Sequence, residues 1–519
     1  MPTDDLRLAD LLAALSVATD LGMGQEPEKA VRGCLLATEL ARELDLPDPD
    51  VGDVYWTSLL QHVGCTAPAH EAARLFGDDL TVGMQVERTD PTSLRETLAL
   101  LAATGRGAGP GRARHLARTA AMGRAGARAI ARAVCEVGAL MAERLRLGPG
   151  VRRGLLHNQE RWDGRGGAHG LAADDIAVAA RVAAVATQAV LFDRLGGPEA
   201  AAEMVRRRAG GWFDPAVAAA FERAGPGVLR RLAGADVWAE VLAAEPEPAR
   251  RVPPAGIDEV ARAFGDMVDL LTPFTLGHSA GVADLAAGAA ARLGMPAADA
   301  AGLRRAALLH DLGRVAVSSG VWERPGPLSS AQWEQVRLHP YHSERILVRS
   351  AALEPLARMA GMHHERQDGS GYHHRAAGAQ IPAGARLLAA ADAFQAMTQD
   401  RAHRPALAPE VAARELEAAA GAGRFDPECA RAVVEAAGQR PSRSRGAWPA
   451  GLSDREVEVL RLVAGGLSNR QIAAALVISP RTAEHHVQHV YTKIGVSTRA
   501  AAAMFAMTNG LLRERPVSG

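Results

Sequence analysis

Four short blocks of this chain occur twice in the same order, and that constrains its fold more than any other feature. Glu160-Arg161-Trp162-Asp163-Gly164-Arg165-Gly166 aligns with Glu365-Arg366-Gln367-Asp368-Gly369-Ser370-Gly371, and Ala180-Arg181-Val182 then matches Ala385-Arg386-Leu387 at the same offset of 205. Leu59-Leu60-Gln61-His62-Val63-Gly64 matches Leu308-Leu309-His310-Asp311-Leu312-Gly313, and Phe213-Asp214-Pro215 matches Phe425-Asp426-Pro427. Conserved order of this kind implies two copies of one unit. The first copy is longer in its middle: Gln61 to Gln159 spans 98 positions and His310 to His364 spans 54, so 44 residues are inserted. The insert includes the Gly/Arg-rich stretch Gly105–Arg118, which reads as an exposed loop.

The repeating unit is helical. Runs such as Cys34–Leu44, Val282–Leu293 and Val411–Ala420 place apolar residues three and four apart, while alternating Val/Ile/Thr/aromatic runs are nearly absent and aromatics make up 4% of the chain. The fold class is all-α. Two Pro/Arg-rich stretches without apolar periodicity, Glu245–Pro254 and Gly438–Ala450, read as linkers. They leave blocks at 1–245, 255–437 and 451–515, which suits 519 residues at about 150 per domain.

A formal net charge of zero, 59 basic against 59 acidic residues, excludes a uniformly basic nucleic-acid coat, so any DNA surface is local. The N-terminus lacks the basic start and apolar core of a signal peptide. The most apolar stretch, Ile176–Phe192, is 17 residues long and carries Arg181 and Gln188, too short and too polar for a membrane span. Four cysteines without paired spacing fit a reducing compartment. These features together predict a cytoplasmic protein with no membrane partner.

Histidine is concentrated in the middle block, where nine of the 17 fall within 126 residues. His310-Asp311 closes an apolar helical run with Gly313 as a helix stop, His363-His364 precedes an Asp368-Gly369 turn, and Asp392 sits in an otherwise apolar helix, Ala385–Met397. A buried carboxylate there requires a cation. A single His or Asp at a helix end more often makes an ordinary hydrogen bond; adjacent pairs together with Asp392 tip the balance toward a site. Imidazole and carboxylate donors suit Mn, Fe, Ni or Zn, and two such ions close together can activate water and clamp a phosphoryl oxygen.

Residues 272–437 resemble the HD-GYP branch of the HD-domain phosphohydrolases, all-α metalloenzymes that include cyclic di-GMP phosphodiesterases. The residues that carry the resemblance are LLHDLGR, His339-Pro340 with Ile346-Leu347 behind it, HHERQDGSGY, IPAGARLLAAADAF and RFDP. It implies that His278, His310, Asp311 and Asp392 hold one divalent ion, that His339, His363 and His364 hold a second, and that Asp311 bridges them. The ions would be Mn, Fe or similar, with a metal-bridging hydroxide as nucleophile. Tyr372 would lie near the substrate, and Arg314, where the family has Lys, would face a phosphate. The chain departs from the family pattern at His373, where the GYP proline is missing, and at Phe274, where trinuclear members carry a Glu ligand. Ser343 stands in place of a glycine and Gln395 in place of an acidic residue. The first block offers Gln61, His62, Asn158, Gln159 and Thr187 for His310, Asp311, His363, His364 and Asp392, with Lys29 where His278 would be. It therefore reads as a degenerate copy without metal ligands. His62, Cys65 and His70 are assigned to core packing.

The third block has 8 Arg+Lys against 5 Asp+Glu. Its punctuation predicts four short helices, with Ser453, Ser468 and Ser479 as caps, Pro480 at a first helical position and Ser497 opening the last helix. Short helix, tight turn and longer polar helix form the helix-turn-helix pattern. The stretch from Leu452 to Ala502 resembles the LuxR-type DNA-binding domain, carrying Glu456, Gly466, Asn469, Ile472, Thr482, Lys493 and Arg499; Ala483 replaces the usual Val. The resemblance implies Glu484, His485 and Gln488 at base edges of double-stranded DNA. It places Arg481, Thr482, Lys493, Ser497 and Arg499 near phosphates, and pairing of two chains around Ala500–Ala506.

The combined expectation is a DNA-binding transcription regulator whose HD-GYP-like domain hydrolyses a cyclic dinucleotide such as cyclic di-GMP, or another phosphate ester, and which acts as a homodimer. The alternative is a regulator whose HD domains bind metal or nucleotide as a sensor without turnover.

Overall fold

The computed structural model describes residues 6–90, 92–103, 112–438 and 448–512. Among them there are helices and three isolated backbone bridges but no β-strand. The chain forms two compact units, residues 1–259 and 260–519.

The duplication seen in the sequence recurs helix by helix. Lys29–Glu43 in the first unit matches His278–Arg292 in the second, each 15 residues long and each preceded by a left-handed residue, Glu28 (φ 75°) and Gly277 (φ 71°). A buried carboxylate caps both: Asp20 accepts from Ala30 N at 3.1 Å, and Asp269 accepts from Ser279 N at 2.9 Å. Asp48–Leu59 matches Ala297–Leu309, Pro149–Leu156 matches Glu354–Gly361, and the helices starting at Val178 and Pro215 match those starting at Ala383 and Pro427. The paired Arg and Asp of the repeated blocks meet in both copies. Arg181 Nη1 lies 2.7 Å from Asp214 Oδ2, and Arg386 Nη1 lies 3.3 Å from Asp426 Oδ2.

With so few aromatics, each core is built from Leu, Val and Ala, and small residues let helices approach closely. A Cβ on Gly265 would stand 2.4 Å from Leu308 O. Gly313 works in the same way, which corrects its reading as a helix stop. Its backbone is not left-handed; instead a Cβ there would lie 2.0 Å from His339 O and 2.6 Å from Ser343 N. Gly64, its counterpart in the first copy, would place a Cβ 2.0 Å from Val134 O.

Two other expectations change. The insert is largely helical: it contributes Ala69–Phe76, Asp79–Arg88 and Leu94–Ala103, and Arg112–Arg118 begin the helix Arg112–Arg144 rather than an exposed loop. Residues 104–111 lie outside the described residues. The Glu245–Pro254 stretch is not a free tether, because Glu245 is buried and accepts from Arg7 Nε at 2.6 Å, and Val252 N bonds Leu6 O at 2.8 Å. A periodicity argument cannot see a segment held by two side-chain and backbone anchors. Of the second linker, residues 439–447 lie outside the described residues.

No helix among the described residues is long and apolar enough to cross a membrane.

Candidate functional site

Seven side chains implied by the sequence resemblance converge in the second unit. His310 ends the helix Ala297–Leu309 with Asp311 next to it, His278 starts His278–Arg292, His339 sits in Ser330–Leu347, His363 and His364 follow Glu354–Gly361, and Asp392 lies in Ala383–Met397. All are buried except His364, which is partly exposed.

Backbone carbonyls fix the ring orientations. His310 Nδ1 lies 2.8 Å from Ala307 O, His339 Nδ1 lies 2.6 Å from Val336 O, and His363 Nδ1 lies 2.6 Å from Ala360 O. His278 Nδ1 meets Gln399 Oε1 at 2.8 Å. An acceptor facing Nδ1 makes Nδ1 the donor, which leaves Nε2 as a bare lone pair aimed inward. His339 Nε2 and His363 Nε2 then face each other at 3.2 Å, two lone pairs that repel unless a cation lies between them. His310 Nε2 is buried without a hydrogen-bond partner among the described residues. These observations satisfy the donor requirements of bound divalent ions.

The Asp311 carboxylate divides the site. Its Oδ2 lies 3.5 Å from His310 Nε2 and 3.8 Å from His278 Nε2, while its Oδ1 lies 3.3 Å from His339 Nε2 and 3.7 Å from His363 Nε2. Asp392 stands on the first side, 3.1 Å from His278 Nε2. His278, His310 and Asp392 form one group of possible ligands, and His339, His363 and His364 form another.

Charges follow from this packing. Burial and neighbouring imidazoles push His363 down to about 3 and hold His364 well below the usual imidazole range, so both are neutral donors. Burial opposes ionisation of Asp311, but His310, Arg314 and His339 outweigh it and hold the carboxyl well below its ordinary value. Burial also works against a proton on His310, yet Asp311 and Asp392 push it up to about 9, a charge demand that a bound cation at Nε2 would meet in place of that proton.

Arg314 donates to Asp311 Oδ2 at 3.1 Å and stacks on Trp322, 4.0 Å from the ring centroid. The Tyr372 ring lies 4.9 Å from that of His364, and burial keeps its hydroxyl protonated well beyond neutral pH. The loop carrying Tyr372 is ordered by Glu365, whose carboxylate accepts from His374 N at 2.7 Å and Ala376 N at 2.9 Å. Ser343 fits where the family has glycine by bonding His310 O at 2.6 Å and Gly313 N at 2.8 Å.

Sequence reasoning missed three groups. Gln399 orients His278. Arg401 Nη2 comes within 3.5 Å of His278 Nδ1 and is pushed down to about 10 by burial and by Arg314. Arg366 is influenced by Asp392 and Tyr372. All three come shortly after a candidate ligand in the chain, but no periodicity marks which way their side chains turn.

The first copy fills the corresponding positions differently. Lys29 and His62 occupy the places of His278 and Asp311, and Val134 takes that of His339, because the glycine contact that involves His339 in one copy involves Val134 in the other. Lys29 pairs with Glu87, which the insert supplies. His62 Nε2 lies 3.2 Å from Lys29 Nζ and 3.3 Å from Glu87 Oε1, and burial together with Lys29 pushes His62 down to about 4. Gln188 Nε2 anchors Glu87 O at 2.7 Å. Breaking a buried pair strands a charge, so Lys29→Ala is expected to destabilise the first unit by about 3–5 kcal/mol, whereas Lys29→Met with Glu87→Leu recovers most of that loss. Denaturant melts of the two variants check this.

Four helices, Asp454–Ala464, Asn469–Leu476, Pro480–Ile494 and Arg499–Thr508, end the described chain. Ser453 and Ser468 form capping boxes with Glu456 and Gln471, and Ser479 caps the third helix. The last helix is capped by Thr498, not Ser497, through Ala501 N at 3.3 Å. On the third helix Arg481, Thr482, Glu484, His485 and Gln488 are exposed, with Val487 and Val490 buried beneath; Ser497 is exposed beyond it.

Two residues expected near phosphates also make bonds within the domain. Lys493 Nζ bonds Glu456 Oε2 at 2.8 Å and Gly451 O at 3.1 Å, and Arg499 Nη2 bonds Asn469 Oδ1 at 2.8 Å. Both cations satisfy oxygens at turns, a role that residue type alone does not reveal. Burial resists ionisation of Glu456, but bonds from Lys493 and Ser453 bring it from 4.5 down to about 2. Its stabilising contribution is present above about pH 4.5 and lost as pH falls toward 2. Acid titration of this unit's helicity is expected to lose that sloping phase in Glu456→Gln.

The comparisons with known proteins agree with this geometry. Residues 262–429 match the HD domain family, and residues 450–506 match the LuxR family of bacterial regulatory proteins. The chain is 31% identical over 436 residues to 3'3'-cGAMP-specific phosphodiesterase 3 of Vibrio cholerae, covering 83% of this chain and 94% of that protein. It is 34% identical over 169 residues to a cyclic di-GMP phosphodiesterase of Pseudomonas aeruginosa, covering 32% of this chain and 40% of that protein. A crystal structure of a cyclic GMP-AMP specific phosphodiesterase from V. cholerae superposes with a TM-score of 0.58 at 28% identity, covering 84% of this chain and 98% of that one. The chain therefore belongs to the HD-domain phosphodiesterase family and carries in addition a LuxR-type regulatory domain at its C-terminal end.

Proposed function

We propose that the second HD copy hydrolyses a cyclic dinucleotide with two divalent ions, Mn or Fe, and that the LuxR-type domain places this activity on double-stranded DNA as part of a homodimeric cytoplasmic regulator. The observation that carries the first half is Asp311, whose two oxygens each face a separate group of inward-pointing imidazole nitrogens. When bound, the ions would supply Lewis acidity toward a phosphoryl oxygen and make a water acidic enough to attack at neutral pH. Asp311 shares its charge between the two groups. Arg314 and Arg401 hold the phosphate, Arg314 in a planar fork braced by Trp322. Tyr372, kept protonated, donates to a phosphate or ribose oxygen. No protein nucleophile is needed.

On DNA, Glu484, His485 and Gln488 read base edges while Arg481, Thr482 and Ser497 meet phosphates. Lys493 and Arg499 brace the turns behind them. Ala500 and Phe505, the half-exposed apolar residues of the last helix, support pairing of two chains.

The test is product formation from 3'3'-cGAMP and from cyclic di-GMP by full-length protein loaded anaerobically with Mn or Fe. Linear or mononucleotide product from either supports the proposal. Stoichiometric metal with no product from either overturns turnover of this class. In a randomised-site selection, Gln488→Ala is expected to relax base preference at one position by about 1–3 kcal/mol; unchanged preference would remove the assigned recognition face.

A further inference from the structure

One more set of donors converges outside the seven-residue centre. Glu344, His373 and His374 each bring one ligand atom into a space where these atoms lie within 4.8 Å of one another. Glu344 Oε2 is 3.0 Å from His374 Nε2 and 3.8 Å from His373 Nε2. Neighbouring ligands on a tetrahedral zinc ion with bonds of about 2.0–2.1 Å sit about 3.4 Å apart, so the observed spacings bracket that edge.

A surface Glu–His ion pair would account for Glu344 and His374 alone. It does not account for His373, whose Nε2 also faces Glu344 Oε2 and whose Nδ1 is buried without a hydrogen-bond partner among the described residues. The Tyr341 ring braces His373 edge-on at 5.5 Å.

The first copy separates this cluster from the needs of the fold. The same turn forms there, with His169 N bonded to Glu160 as His374 N is bonded to Glu365. Yet Ala168 stands in the position of His373, and Ala139 in that of Glu344. The loop therefore closes without either donor.

We propose that Glu344, His373 and His374 form a mononuclear site for a borderline transition-metal ion such as zinc, distinct from the seven-residue centre, which fastens the Tyr372 loop to the helix Ser330–Leu347. Two imidazoles and one carboxylate favour zinc, cobalt or nickel over magnesium or calcium. Three protein ligands leave a position for water, so the ion exchanges with solvent more readily than one in the buried centre.

The experiment counts ions and is independent of what the centre turns over. Full-length protein is stripped with chelator, reloaded with zinc, desalted, and assayed for metal per chain by mass spectrometry. Glu344→Ala/His374→Ala is expected to hold one ion fewer than wild type. Asp311→Asn/His363→Ala, in which the centre is disrupted, is expected to retain about one ion, to show the visible absorption of tetrahedral cobalt on substitution, and to have the 368–377 loop protected from proteolysis by zinc. Metal-free melts by circular dichroism establish that each variant folds. Equal zinc content in wild type and Glu344→Ala/His374→Ala overturns the site, and so does complete loss of zinc from a folded Asp311→Asn/His363→Ala.

Discussion

Asp311→Asn is expected to reduce cyclic-dinucleotide turnover by about a thousandfold or more, equivalent to about 4 kcal/mol of lost transition-state stabilisation. The substitution keeps the side chain's volume and removes its charge. It also gives one end of the group an amide NH₂, which cannot act as a ligand, while the carbonyl end can face only one group of imidazoles. Either orientation leaves His278 and His310, or else His339 and His363, without an oxygen from residue 311. Metal content per chain should fall together with turnover. Full metal loading with normal product formation in Asp311→Asn would sink the shared-carboxylate arrangement. Arg314→Lys offers a graded comparison: it keeps the charge but loses the planar stack on Trp322, so a loss smaller by a factor of ten or more is expected.

Gly313→Ala is expected to destabilise the second unit by about 3 kcal/mol or more, through crowding rather than chemistry. The added methyl meets His339 O at 2.0 Å and Ser343 N at 2.6 Å. Both are backbone atoms of a helix and cannot rotate away. Relief requires the helix Ser330–Leu347 to move outward, carrying His339 with it, so metal affinity should fall with stability. Gly64→Ala creates the equivalent clash with Val134 O in the first copy; there a comparable loss of stability should leave the metal content of the second copy intact. Gly421→Ala, with nothing within 4 Å of the added Cβ, is the neutral control. Calorimetry on the three variants checks the ranking, and a Gly313→Ala melt indistinguishable from that of Gly421→Ala would refute it.

The sequence disclosed the helices and their starts wherever local chemistry sets them. Ser453, Ser468 and Ser479 could be read as caps because an N-cap bond spans three residues. Thr498 was missed beside Ser497 because either hydroxyl satisfies the same rule. The seven histidines and aspartates could be identified as a set because the repeated blocks and family motif order them. What the sequence hid is what depends on direction. Arg401 turning back to His278, Lys493 turning inward to Glu456, and Glu245 reaching Arg7 are set by tertiary packing, which leaves no period in the chain. Glu87 was invisible for a related reason: it belongs to an insert with no counterpart in the other copy to align against.

The Lys29–Glu87 pair has a consequence for how the whole chain meets a changing metal supply. In the first unit, an ammonium occupies the position of a ligand histidine and is charge-balanced by Glu87. This counter-cation is covalently tethered, so neither a chelator nor a competing ion can remove it. The second unit depends on ions borrowed from solution. Under metal starvation an ion held by the second unit could be surrendered, whereas the cation of the first unit stays in place.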